Sequence, residues 1–238
     1  MISGTEAWSE CHIVDWNGDK SGRQAELVVF ITDSAFQIPK IHAILVLAIG
    51  PITRNLRRLV MKIQKDGITI RNAEKTDCDQ LAAWWNDGNV MAHAGFPLGL
   101  NTTAEEIENQ IAQDSDETKR RLIIEYQDQP IGEMSYYNIG NETAEIGIKI
   151  CNPEFQERGL GRVILSMLIC QLFSCGYTKI ILDTNLNNTR AQHVYEKLGF
   201  QKTGVRENSW KNQLGELQSS IDYELKPDEF IDFSMSKE

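Results

Sequence analysis

The sequence predicts a mixed α/β fold in which a mostly antiparallel central sheet carries flanking helices. Three observations lead there. Residues 120–151 hold three strand-like runs, RRLIIEYQ, PIGEMSYYNI and TAEIGIKIC. They are joined by short breaks containing Asp128, Gln129 and Pro130 and then Gly140 and Asn141, which is how an antiparallel meander reads. From residue 160 the texture turns helical, LGRVILSMLICQLFSCG, with Gly176 as its stop. A strand (KIILDT), a helix (NTRAQHVYEKLG) and two further strand candidates (GFQKTGVRE and SSIDYELK) then complete the chain. A hydrophobic content of 41% supplies a real core.

The upstream elements fit the same plan. ITIRN (68–72) alternates as a strand does. Thr76, followed by Asp77 and Asp79, marks a helix start leading into Leu81, Ala82, Trp84 and Trp85. Residues 86–101, rich in Gly, Asn and Pro, read as a loop. Thr103 stands three residues before Glu106, the spacing of a capping box, so a second helix begins near Thr102. The expected order is β-α-α-β-β-β-α-β-α-β-β in one domain, 61–238. Residues 1–60 lack this organisation: 25–31 could form a strand and 41–49 a strand or buried helix, and the segment reads as an extension of unknown role.

Charge and cysteine usage narrow the function. Six basic and six acidic residues balance within 1–60, so the whole formal charge of −10 lies in 61–238. That surface disfavours a sequence-independent nucleic-acid partner and steers cationic ones such as amines. The five cysteines (Cys11, Cys78, Cys151, Cys170, Cys175) are scattered, with no Cys-x-x-Cys pair. They point to buried thiols in a reducing cytosol rather than to disulfides or a metal site. The longest apolar run, 41–52, is interrupted by Gly50 and Pro51 and falls short of the roughly 20 residues a membrane helix needs. A cytoplasmic protein with no membrane partner is expected, and a homodimer is compatible with the sequence.

The stretch NPEFQERGLGRVIL (152–165) places Gly159 and Gly161 between arginines at a helix start. Unpaired N–H groups there suit a phosphate ligand. A dinucleotide is one reading, because Asp183 follows Gly161 by 22 residues, near the spacing of a ribose-binding acid. Against it, the third glycine position is Ile164, seven residues separate the glycines from the strand, and antiparallel strands precede them.

The residues Gln156-x-x-Gly159-x-Gly161, with NNTRAQHVYEKLGF (187–200) downstream, resemble the GCN5-related N-acetyltransferase family over about residues 66–226. The first block matches that family's acetyl-CoA loop; in the second, Asn188 and Tyr195 stand seven apart, as the family's coenzyme-contacting Asn and its Tyr do. The resemblance implies that Gln156 opens the coenzyme-binding loop and that the backbone N–H groups of Glu157, Arg158, Gly159, Leu160, Gly161 and Arg162 cradle a pyrophosphate. It implies that Lys149, Ile150 and Cys151 pair with the pantetheine arm, and that Asn188 touches the coenzyme. Tyr195 is then the candidate acid for the leaving thiolate, and Glu145 or Asp183 the candidate base. Trp84, Trp85, Asn86, Asp87 and Phe96 are candidates to line the acceptor side, with the core the favoured place for the two tryptophans; His93 lies in the acceptor-side loop, and His193, off the apolar stripe, is expected to be exposed. The implied reaction is acetyl transfer to a primary amine, on a protein N-terminus or on a small molecule such as an aminoglycoside, without an acyl-enzyme. A non-catalytic acyl-CoA-sensing module is the alternative of another class.

Overall fold

The computed structural model describes residues 61–234; the expectations for 1–60 lie outside them. The described chain begins with a hairpin. Strands β1 (Lys62–Lys65) and β2 (Ile68–Asn72) turn at Asp66 and Gly67, both with positive φ, an Asp-Gly pair suited to the tight two-residue turn. The sequence reading missed β1, a four-residue strand with no apolar alternation of its own.

A single 3-10 turn (Lys75–Asp77) leads into helix α1 (Cys78–Asn86). The start expected at Thr76 moves back to Glu74, which forms a capping box with Asp77. The reason is local: the Asp77 carboxylate accepts from the Glu74 N–H at 2.7 Å and from Arg71 at 2.7 and 2.8 Å. The expected loop contains a short helical turn, α2 (Gly88–Met91), capped by Asp87, and directly after it a 3-10 turn (Ala92–Ala94). Helix α3 (Ala104–Ile111) has the expected capping box, Thr103 accepting from Glu106 N–H and Glu106 from Thr103 N–H. Replacing Thr103 with alanine removes one half of that box and is expected to cost about 1 kcal/mol of stability. Urea unfolding of the variant checks it.

The meander is β3 (Lys119–Tyr126), β4 (Gln129–Asn138) and β5 (Thr143–Ile150). Gln129 and Pro130 belong to β4 rather than to the break, because Gln127 and Asp128, both at positive φ, make the turn alone. Helix α4 (Leu160–Ser174), strand β6 (Lys179–Asn185) and helix α5 (Thr189–Lys197) follow. A long hairpin, β7 (Gln201–Lys211) and β8 (Leu217–Leu225), completes the sheet.

The eight strands lie in the order β1-β2-β3-β4-β5-β6-β8-β7. Only the β5–β6 pair is parallel. Alternation sends Ile146, Ile180, Leu182, Ile221 and Tyr223 to one face, where they pack with Leu168 of α4, Tyr195 of α5 and Leu198 at its C-terminal end. The other face sends Ile123 and Cys151 against Leu81, Trp84 and Ile107 of α1 and α3. No described helix is long and apolar enough to cross a membrane.

Candidate active site

The site arises where the central pair comes apart. Strands β5 and β6 are paired only at Thr143–Glu145 with Lys179–Ile181. Beyond Glu145, β5 stays on β4 as far as Ile150, while β6 stays on β8 as far as Asn185. The two strands therefore enclose a slot, and a cavity of about 890 Å³ occupies it, lined from both faces of the sheet.

Ladder parity decides which β5 amides face the slot. The Cys151 N–H donates to Ile131 O at 2.9 Å, toward β4. Successive residues of an antiparallel strand point their amides to opposite edges, so Lys149 also faces β4, and Ile148 and Ile150 face the slot. Of the expected trio Lys149, Ile150 and Cys151, only Ile150 offers its backbone to a ligand there; Ile148 joins it. Cys151 does not line the cavity. Its thiol is buried, and burial together with the Glu133 charge pushes its pKa well above the usual thiol range. A thiol held protonated is a poor nucleophile, which fits transfer without an acyl-enzyme. Lys149 lines the cavity with its ammonium on Glu133 at 2.9 Å; burial is the largest influence and lowers its pKa, but the charge and hydrogen bond of Glu133, with smaller neighbouring charges, together leave it raised.

On the α4 side the glycine loop forms one end of the cavity. Gln156, Glu157, Gly159, Leu160, Gly161 and Arg162 line it; Arg158 does not, and stacks over Phe155 at 5.4 Å. Gln156 ties the loop down by donating to Ile150 O at 2.8 Å. Gly159 sits at φ +77, open to glycine with little strain. A Cβ on Gly161 would meet nothing closer than Ile150 Cδ1 at 3.8 Å, so the protein's own packing does not require glycine there. The empty space over Gly161 lies at the first turn of a 15-residue helix, and Arg162 and Arg190 line the same end. In a chain of net charge −10, this collection of N–H groups and guanidiniums fits a polyphosphate. Asn188 caps α5, its Oδ1 accepting from Ala191 N–H at 3.3 Å, and also lines the cavity.

Tyr195 lines the cavity, packed on Phe200 and Tyr223 with centroids 5.8 and 5.7 Å away. Burial, reinforced by the Asp183 charge, pushes its phenol up to about 12. Asp183 lines the cavity from the opposite face of the sheet. Its Oδ2 accepts from Arg206 Nη2 at 2.8 Å, and Arg206 also holds Asp222. Glu145, in contrast, pairs with Tyr137 and Ile181 and is not among the lining residues.

Trp84 is buried in the second core with Trp85 packed against it, the place favoured for the tryptophans. The rest of the acceptor side differs from expectation. Asn86 clamps the Thr102 backbone in both directions at 2.8 Å, and Asp87 caps α2. Phe96 is exposed and not among the lining residues. The loop contributes Asn89, Val90, His93 and Ala94 instead, and His193 is exposed. Across from them the β7–β8 hairpin contributes Arg206, Ser209 and Trp210, which sequence reading missed. The Trp210 ring occupies the space a Cβ on Gly95 would need, 2.4 Å away, and Gln213 bonds Leu98 N–H and Gly99 O at 2.9 Å each. These contacts fasten the hairpin to the loop.

A family model described as an acetyltransferase (GNAT) domain matches residues 68–201. The chain belongs to the GNAT acetyltransferase family. This assignment removes the dinucleotide reading, as does a sheet with a single parallel pair. The GNAT chain is 38% identical over 64 residues to the [ribosomal protein bS18]-alanine N-acetyltransferase of Salmonella typhimurium, covering 27% of this chain and 43% of that one. It thus spans less than half of that relative's length. Among solved structures, the spermidine N-acetyltransferase from Vibrio cholerae in complex with CoA and spermine superposes with a TM-score of 0.61 at 24% identity, over 69% of this chain and 98% of that one. A ribosomal L7/L12 alpha-N-protein acetyltransferase in complex with coenzyme A gives 0.63 at 17% identity, over 71% and 99%. At those identities the likeness concerns the GNAT fold.

Proposed function

We propose that the protein transfers the acetyl group of acetyl-CoA to a primary amine by direct attack within the β5–β6 slot. The observation that carries this is the division of one cavity between two faces: a glycine cradle with arginines and Tyr195 on the α4 side, and a carboxylate, Asp183, on the α1–α3 side. The cradle holds the pyrophosphate, and the amides of Ile148 and Ile150 take the pantetheine arm and the developing oxyanion. A backbone donor in that position is worth a few kcal/mol. Asp183 is the base rather than Glu145, because only Asp183 lines the cavity. Its Oδ2 is occupied by Arg206, leaving Oδ1 for the amine.

The amine attacks the thioester carbonyl and the C–N bond forms; the tetrahedral intermediate then collapses with cleavage of the C–S bond. Asp183 takes the proton the amine gives up and releases it to solvent, while the coenzyme leaves as a thiolate that Tyr195 stabilises by donating a hydrogen bond and that takes its own proton from solvent. The acceptor is a protein N-terminus or a small-molecule amine: the relatives named above act on both kinds by their names. The four described cysteines are free, which supports a reducing, cytoplasmic setting.

Calorimetric titration with acetyl-CoA beside NADH tests the reading. Micromolar acetyl-CoA binding with no NADH response is expected. Folded protein that binds no acetyl-CoA overturns it, and acetyl-CoA binding with no amine acetylated across a peptide and polyamine screen favours the sensing module.

A further inference from the structure

The acceptor-facing side of β5 carries, in alternation, Glu145, Gly147, Lys149 and Cys151. The corresponding side of β6 carries Ile181, Asp183 and Asn185. Since Glu145 is the partner of Ile181, Gly147 and Asp183 are the next residues on that face, two along each strand, one on either side of the slot where it opens. Both line the cavity.

Glycine at 147 has no reason in the fold itself. It lies inside an eight-residue strand, where glycine is ordinarily unfavourable. Its φ is not in the left-handed region, and an added Cβ would meet only Ser135 Oγ at 3.4 Å, an ordinary contact. It contrasts with Gly132 on the neighbouring strand β4, where a Cβ would fall 2.2 Å from Lys149 O. Gly132 is glycine for packing. Gly147 is exposed between half-buried and buried neighbours in the middle of the sheet.

We propose that Gly147 is the aperture through which the acceptor amine reaches the acetyl group. Resting on the acetyltransferase reading above, this makes position 147 a determinant of acceptor access. The slot-facing amide of Ile148 is its immediate neighbour in the chain, and Asp183 stands opposite to receive the proton. A side chain at 147 would project into the approach path from the α1–α3 face while leaving the phosphate cradle, on the other face, untouched.

The test compares full-length wild type, Gly147→Ala and Gly147→Val. Acetyl-CoA affinity is measured by calorimetry, and cleavage of acetyl-CoA is measured with hydroxylamine, a nucleophile small enough to stand for any amine, and with spermine. Both variants are expected to melt with the wild type and to bind acetyl-CoA within about twofold of it, while the hydroxylamine rate falls about 10-fold in Gly147→Ala and 100-fold in Gly147→Val, as misplacing a reactant by an ångström does. If spermine is a substrate, its rate falls more than that of hydroxylamine. Rates unchanged in Gly147→Val overturn the aperture. So does acetyl-CoA affinity or folding lost in step with the rate, since the space would then belong to the coenzyme or the core. A wild type that binds acetyl-CoA but gives no hydroxylamine cleavage also overturns it. A wild type that fails to bind acetyl-CoA sinks the acetyltransferase reading first, and that outcome is distinct from the others.

Discussion

Gly161→Asp is expected to abolish measurable acetyl-CoA binding without unfolding the protein. The two effects separate because position 161 sits at the first turn of α4 with room for a side chain. A carboxylate near a helix N-terminus is itself favourable, by about 0.3–1 kcal/mol, so the melting temperature should hold or rise. The same carboxylate occupies the space and the positive potential that the pyrophosphate needs. Two like charges about 4 Å apart near a protein surface repel by up to about 4 kcal/mol, and the pyrophosphate brings more than one. A loss of at least about 100-fold in affinity, close to 2.7 kcal/mol, is the expected calorimetric result, with Gly161→Ala losing less. Unchanged affinity in a folded Gly161→Asp protein would mean the coenzyme lies elsewhere.

How much of this site the sequence revealed depended on distance along the chain. The glycine loop and the Asn188–Tyr195 pair are each a local device, a turn at positive φ opening a helix and a cap followed two turns later by a stripe residue; alone the glycines read as an ordinary turn, and it was the two blocks together that resembled a known family. The capping box at Thr103 was legible for the same reason. The acceptor wall was not. Gln213 meets Leu98 and Gly99 across more than a hundred residues, and no periodicity announces such a contact. β7 is exposed along nearly its whole length, so it carries no alternating pattern to mark Arg206 or Trp210 as facing a cavity.

The two tryptophans fall where a core reading puts them, Trp84 in the second core with Trp85 beside it. Another difference comes from facing. Cys151 lay one residue out of phase: a single step along a strand reverses both the side chain and the amide. Choosing between Glu145 and Asp183 needed the slot itself. Both carboxylates lie on the same face of the sheet, but Glu145 still belongs to the paired part of β5 and Asp183 lies beyond the point where pairing ends.

Tyr195→Phe is expected to lower kcat about 100-fold, the usual cost of removing one donor aimed at developing charge, while acetyl-CoA affinity stays within about twofold. The substitution deletes only the hydroxyl. The ring keeps its packing on Phe200 and Tyr223, so a fall in rate cannot be assigned to a collapsed core. The raised phenol pKa of about 12 defines what the hydroxyl can do. An ordinary thiol, at about 8.5, is the stronger acid, so full transfer of the phenol proton to the leaving thiolate is uphill by roughly 5 kcal/mol. In the proposed reaction Tyr195 therefore acts while still protonated, as a hydrogen-bond donor that strengthens as charge gathers on sulfur. The sign of the pH dependence follows. A raised pKa keeps the donor loaded to higher pH, so an alkaline fall in kcat/KM owed to Tyr195 should come only near pH 12, where an unshifted tyrosine would bring it to about 10. An alkaline limb near 10 that disappears in Tyr195→Phe would show the hydroxyl ionising as though exposed, and a variant with wild-type kcat would remove its role in the chemistry altogether.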